Sequence, residues 1–379
     1  MRIGIITQPL QNNYGGLLQN YALQQVLKKL GHEVITLDQT DAPISRLKTI
    51  VSFIKAFFLM LLGKGGGRKY DFELDENKKV YIGKHTQYFT DKYITHTRPM
   101  YKTEEFREFC INNKIDALIV GSDQVWRPLY NSNIYRSFFD FAEGIDIKRY
   151  AYAASFGVDF WELTEEQTKR CKQLIELFDA ISVREESGVS LCDTYFGRKA
   201  EHVLDPTMLL DKEDYEELVN NENEPMSSGD LFTYILDESE EKTNVIERVT
   251  TSLDLVPFTV MPKSRVNRKT IKHIDDCVYP PVTRWLRAFM DAKFVICDSF
   301  HGTVFSIIFN KPFLVIHNKK RGISRFTSLL RLYGLENRLI TGFENELSVI
   351  DERIDWDSIN SILTYLKGKS YLYLQQNHL

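Results

Sequence analysis

The sequence predicts an α/β protein made of two Rossmann-like halves that face a cleft. Three observations carry the prediction. Short apolar runs alternate with longer stretches of helical period through most of the 379 residues, as strands and helices in turn would. Residues 2–38 already read as a complete βαβ unit. The stretch 221–230 (NENEPMSSGD) is polar, carries Pro and Gly, and has no periodicity, and a second α/β series begins after it. Residues 1–220 are therefore expected to form one half, 221–230 a linker, and 231–379 the other half. The last helix is a candidate to pack back on the first half.

The elements follow in order. Residues 2–7 (RIGIIT) form an apolar run that reads as a buried strand. A polar loop, 8–15, leads into a helix with Leu23, Val26, Leu27 and Leu30 on one face, and Gly31 ends it as a C-cap. Residues 33–38 are the next strand. Ala117–Val120, 150–154, Ala180–Val183 and 202–204 are the later strands of the first half. In the second half the strands are 231–236, 257–261, Phe294–Cys297 and Phe313–Ile316. Residues 303–309 form one short helix, and Ser324 is a candidate cap for another that begins at Arg325. In such sheets ligands bind beyond the carboxyl ends of strands, so loops after strands should hold the chemistry.

Composition excludes several classes. A 43% hydrophobic and 26% charged chain is an ordinary globular one, not a disordered, collagenous or small secreted one. The net charge of -4 leaves no overall basic footprint for nucleic acid. Five cysteines, none in a C-x-x-C pair, argue against a metal cluster or a disulfide framework and for a reducing compartment. The N-terminus reads as a strand rather than a signal peptide, and no run of eighteen apolar residues occurs, so a cytoplasmic protein is expected. Residues 44–62 (ISRLKTIVSFIKAFFLMLL) place Ile44, Leu47, Val51, Ile54, Phe58 and Leu61 on one helical face, and all their charges are basic. That makes them a candidate for peripheral contact with the inner face of a membrane. A buried helix or a lid over the cleft is the plainer alternative.

Five loops carry residues suited to chemistry. Asn12-Asn13-Tyr14-Gly15-Gly16 joins a strand to a helix, and its glycines permit close approach of a ligand. Gly121-Ser122-Asp123-Gln124 follows a buried strand; Asp123 can act as a general base, or Ser122 or Asp123 can cap the next helix. Arg184 stands at a strand end, where it offers a planar fork to a carboxylate or phosphate or pairs with Glu185 or Glu186. The elbow Cys297-Asp298-Ser299-Phe300-His301-Gly302-Thr303 leads into the short helix. Its backbone N–H groups with Ser299 and Thr303 would make an anion site beside His301, which can titrate near neutral pH. Lys319, Lys320, Arg321 and Arg325 follow the last strand and suit a multiply charged anion, though a solvated loop is the usual meaning of such a run.

Taken in order, these segments resemble the polysaccharide pyruvyl transferase family. The matching stretches are NNYGGLLQNYALQ (12–24), GSDQVW (121–126), SVRE (182–185), VLDPT (203–207), DSFHGTVFSIIFNKPF (298–313) and RGISRFTSLL (321–330). Residues 42–107, read as a variable insert, and 211–279 are less characteristic. The resemblance implies a fold similar to GT-B glycosyltransferases. It also implies phosphoenolpyruvate as donor and co-substrate, with no further cofactor. The pyruvyl unit would pass to two hydroxyls of a sugar, giving a cyclic ketal and phosphate. The family's important Arg and His match Arg184 and His301.

On that reading His301, Arg184 and Asp123 are catalytic. Ser299, Gly302, Thr303, Arg321 and Arg325 bind the donor. Asn13, Tyr14, Gly15, Ser122 and Gln124 bind a saccharide acceptor, for which a lipid-linked form is one option. A nucleotide-sugar glycosyltransferase of the same architecture, and an inactive glycan- or phosphate-binding component, are the competing readings.

Overall fold

The computed structural model describes residues 1–40, 74–267, 269–317, 322–341 and 346–379. The segment 44–62 and Arg321 lie outside the described residues. Near-continuous apolar runs produce strands buried on both faces, and these pair in parallel with helices between them. The first sheet holds β1 (Arg2–Ile6), β2 (Glu33–Thr36), β3 (Ala117–Val120), β4 (Lys148–Ala154), β5 (Ala180–Val183) and β6 (Glu201–His202). Its order is β2-β1-β3-β4-β5-β6, with Ile3 opposite both Val34 and Ala117. The second holds β7 (Leu231–Tyr234), β8 (Pro257–Phe258), β9 (Phe294–Cys297), β10 (Phe313–Ile316) and β11 (Leu339–Ile340), in the order β11-β10-β9-β7-β8. Strand order reverses direction at β1/β3 in one sheet and at β7/β9 in the other. Those two switch points are where the loops splay apart and leave room for ligands.

The helices flanking the first sheet are α1 (Tyr14–Lys29), α2 (Glu76–Ile82), α3 (Lys84–Tyr93), α4 (Thr103–Asn112), α5 (Glu165–Ile175) and α6 (Glu186–Leu191). Next is α7 (Lys212–Asn221), and beyond residue 230 come α8 (Glu240–Leu253), α9 (Val282–Asp291), α10 (Phe300–Ile308), α11 (Ser324–Tyr333), α12 (Glu346–Ile350) and α13 (Trp356–Gln376). The Asn13 side chain caps α1 by accepting from Gly16 N, and Gly31 beyond its end takes the left-handed conformation at φ +89°. One hydrophobic cluster runs through both halves, with Tyr14 against Trp285 and Tyr215 against Phe305. The chain also returns: in α13, Ser370 Oγ accepts from Leu204 N and Tyr373 donates to the Ala151 carbonyl in β4.

Several boundaries differ from the sequence expectation. β7 stops at Tyr234, because Leu236 N and Asp237 N donate to the Asp298 carboxylate instead of continuing the ladder. α10 begins at Phe300 rather than 303, because Ser299 caps it. Ser324 is not a cap: Ile323 occupies that position and Ser324 is the first helical residue. The two-residue β11 was too short to show in the sequence pattern. Among the described residues no helix is long and apolar enough to cross a membrane.

Candidate active site

The loops at the first switch point supply one side of the site. Gly121 sits at φ +133°, and a Cβ there would lie 1.9 Å from the Tyr152 carbonyl oxygen, so only glycine lets the chain turn at the end of β3. No α-helix follows, which leaves Ser122 and Asp123 without the capping role considered for them. Ser122 Oγ instead donates to Asp205 at 2.9 Å. The Asp123 carbonyl accepts from Val125 N and Ser155 N, which pins the loop beneath its carboxylate. Gln124 accepts from Arg127 through its side chain and from Gln8 through its carbonyl. Its amide therefore shapes the loop.

Arg184 leaves the end of β5 into this space, with its side chain 1% exposed. It pairs with Asp205 at 2.9 Å, Glu185 at 3.3 Å and Asp123 at 3.4 Å. The expected partner Glu185 is thus one of three, while Glu186 pairs with Arg331. A guanidinium has five N–H donors, so two remain for a ligand. His202 fixes the backbone behind it through a 3.0 Å bond to the Arg184 carbonyl.

Asp205 joins the two halves of the site, and it was not singled out from the sequence. It is fully buried, accepts from Ser122, Arg184 and both Thr207 N and Oγ1, and lies 3.6 Å from His301 Nε2. In the sequence it reads as a strand-end residue before Pro206, and only the neighbouring β5 reveals what it holds. Phe300 was missed in the same way. Its ring centroid lies 4.2 Å from the Arg184 guanidinium carbon and 5.8 Å from that of Arg325, so it meets two cations.

His301, at the start of α10, faces this cluster from the other side. Its ring lies against Gly15, where a Cβ would come within 2.1 Å of Nδ1. Its Nε2 is buried and ion-paired with Asp205 at 3.6 Å, with no shorter hydrogen bond. Gly302 and Thr303 point the other way, into the core. A Cβ on Gly302 would meet Cys297, and Thr303 Oγ1 donates to the Ser299 carbonyl. Ser299 Oγ accepts from Gly302 N, taking up one of the N–H groups expected to meet an anion.

The electrostatics of the cluster follow from burial and pairing. Burial alone would raise the Asp205 carboxyl, but His301, Arg184 and Thr207 outweigh it and hold the group well below the usual carboxylate range. Asp123 is also held low: burial opposes, and Arg184, His301 and Arg325 prevail. Burial works against the charge on Arg184, yet Glu185, Asp205 and Asp123 raise its pKa. Arg325 is buried near Arg184, and both effects push it down to about 10.

Beside the cluster opens a cavity of about 990 Å³ at the second switch point. Asn13 and Tyr14 from the first half and Ser299 from the second line it, with residues after β7 and β8. Tyr14 also bonds across the cleft to the Pro280 carbonyl at 2.9 Å. The structure therefore gathers Ser122, Asp123, Arg184, His301 and Arg325 around Asp205 and Phe300. It places Asn13, Tyr14 and Ser299 in the adjoining cavity, and Gly15 between the two.

A family model for polysaccharide pyruvyl transferase matches residues 13–320, which span both switch points and every described residue of the cluster except Arg325. The chain belongs to this family. It is a transferase. Solved structures show the GT-B fold. UDP-GlcNAc 2-epimerase from Neisseria meningitidis, solved bound to UDP-GlcNAc, is similar at 11% identity with TM-score 0.51, covering 98% of this chain and 94% of that one. A putative UDP-N-acetylglucosamine 2-epimerase from Listeria monocytogenes gives 11% identity, TM-score 0.51 and coverage of 100% and 96%. A glycosyltransferase from Rickettsia africae gives 10%, 0.50, 98% and 93%. No curated protein matches the chain significantly by sequence.

Proposed function

We propose that the protein transfers a pyruvyl group from phosphoenolpyruvate to two hydroxyls of a sugar in a cell-surface or capsular polysaccharide precursor, forming a cyclic ketal and releasing phosphate. The observation that carries this is the buried cationic cluster: His301 Nε2 pairs with the Asp205 carboxylate at 3.6 Å, beside Arg184 and Arg325. At 3.6 Å that contact is longer than a good hydrogen bond, so the buried ring nitrogen gains from a ligand that meets it. Phosphoenolpyruvate carries up to three negative charges, and the free N–H groups of Arg184 with the charge of Arg325 suit its carboxylate and phosphate. Arg321 is expected to add to them.

His301 then donates a proton to C3 of the enol, and Asp205 stabilises its charged form. C2 becomes electrophilic and a sugar hydroxyl attacks it. The C2–O bond to phosphate breaks, and the second hydroxyl closes the ketal. The two hydroxyl protons end on C3, through His301, and on the departing phosphate. Asp123 faces Arg184 at 3.4 Å and is placed to accept from an acceptor hydroxyl, orienting or activating it. No cofactor enters this scheme.

The test is incubation with phosphoenolpyruvate and a panel of acceptor glycans. Phosphate release should require both substrates, and the glycan should gain the mass of pyruvate less water. The 990 Å³ cavity leaves room for a nucleotide-sugar, which keeps a glycosyltransferase as the second reading. Consumption of a nucleotide-sugar with no phosphate released from phosphoenolpyruvate would favour it.

A further inference from the structure

The cluster that the donor enters is already balanced in charge. Among the described residues, the guanidiniums of Arg184 and Arg325 stand against three buried carboxylates, Asp123, Glu185 and Asp205. A protonated His301 brings the two signs level, and phosphoenolpyruvate would then add up to three more negative charges. Buried charge of one sign without a partner is costly, so one resident carboxylate must give way to the donor.

The three carboxylates are held unequally. Asp205 accepts from Ser122, Arg184 and Thr207, and its side chain is wholly buried. Glu185 accepts from Ser155 Oγ at 2.5 Å as well as from Arg184 Nε. Asp123 Oδ1 meets Arg184 Nη2 at 3.4 Å, and its side chain, 9% exposed, is the most accessible of the three. That contact is longer than the about 2.7–2.9 Å of a strong charge-assisted bond. It also occupies the donor's place. Of the five Arg184 N–H groups, Nε serves Glu185, Nη1 gives one to Asp205 and Nη2 gives one to Asp123. One of the two left for a ligand is therefore on the nitrogen that holds Asp123. A donor oxygen there lies against a second negative charge where little water screens it. The Asp123 carbonyl is pinned by Val125 N and Ser155 N, so the side chain can turn away without moving the loop.

We propose that Asp123 is a resident counter-ion that the incoming donor displaces from Arg184, and that its carboxylate is released to meet an acceptor hydroxyl only once the donor is bound. This deepens the donor reading above and rests on it. The donor therefore binds first and the acceptor second, because before donor binding the carboxylate is engaged with Arg184.

Asp123→Asn tests the proposal on the full chain. It removes the charge, keeps the shape and suits the left-handed backbone at φ +69°. Arg184 keeps Glu185 and Asp205, so the variant should melt as wild type does. Calorimetry with phosphoenolpyruvate, and separately with inorganic phosphate, should show the variant binding each anion about tenfold more tightly than wild type, because a like charge has gone from the site. Phosphate release from phosphoenolpyruvate in the acceptor panel should fall in the same variant. A crystal structure of wild type with phosphoenolpyruvate should place a donor oxygen on Arg184 Nη2 and Asp123 more than about 4 Å from it. The proposal is overturned if the variant binds neither anion more tightly, or if the complex keeps the 3.4 Å contact. It is also overturned if wild type takes up a proton on binding that the variant does not, since Asp123 would then be neutralised in place. Tighter phosphate binding by the variant, with phosphoenolpyruvate binding neither protein, would instead sink the donor reading and leave the counter-ion role standing.

Discussion

Arg184, Asp205 and His301 carry the site at the residue scale, and they predict different outcomes when changed. His301→Ala removes the proposed proton donor while Asp205 keeps Arg184 as a partner, so turnover should fall by about 10²–10⁴ with the fold intact. Near-wild-type turnover would take His301 out of the mechanism. Arg184→Ala leaves Asp123, Glu185 and Asp205 buried without their common cation. Breaking a buried pair by removing one partner costs about 3–5 kcal/mol, so this variant should melt early as well as lose activity. Arg184→Lys keeps the charge but not the fork, and should fold better than the Ala variant while remaining impaired. Asp205 predicts a pH effect. Its folded carboxyl is depressed, so its contribution to stability is complete above the unfolded value near 4 and is lost as pH falls below it. Chemical denaturation across pH should show wild-type stability declining more steeply below about pH 4 than that of Asp205→Asn. Parallel curves would show that Asp205 is not the group that holds the cluster.

Two helix starts meet at the element scale. α1 begins at Tyr14 and α10 at Phe300, and the missing side chain of Gly15 lets the His301 ring lie against the first turn of α1. Gly15 is helical, so alanine there is favoured by propensity by about 1 kcal/mol. The clash with His301 outweighs this. Gly15→Ala should reduce turnover more than it reduces the melting temperature, because it displaces a ring rather than unfolding a helix. Unchanged kinetics would mean that the ring can shift without cost. The same scale explains which boundaries could be read. Ala117–Val120, Ala180–Val183, Phe294–Cys297 and Phe313–Ile316 are short apolar runs closed by polar residues, and they match the structure. β7 ends early because Asp298, far along the chain, captures the N–H groups of Leu236 and Asp237.

At the scale of the whole molecule, the halves share a core and the chain crosses between them twice. α13 leaves the second half and seals the first, with Ile359, Leu363, Tyr373, Leu374 and the final Leu379 buried. Each such side chain is worth about 1.5–3 kcal/mol on burial. Their sum rivals the roughly 5–15 kcal/mol that stabilises a whole domain. Deleting residues 356–379 should therefore abolish the cooperative melt. A truncated chain that melts as the full one does would show that α13 is only an accessory.

Local pattern by itself determined the alternation of strands and helices; it suggested a break at 221–230 and pointed to the loops after strands. Periodicity is a property of neighbouring residues, and a strand end followed by glycine and polar side chains is visible without a fold. The ordered motifs also pointed to Arg184 and His301. Tertiary structure alone decided what those residues face. Asp123, Arg184 and Asp205 come together because β3 and β5 both flank β4 and the chain after β6 turns back beside them. Sheet order is set by long-range burial and cannot be read from local period. For the same reason Thr303 looked like an anion ligand and proved to be core. Lys263 and Arg265, in a stretch with no recognisable motif, reached the cavity wall because the loops after β7 and β8 converge on the second switch point.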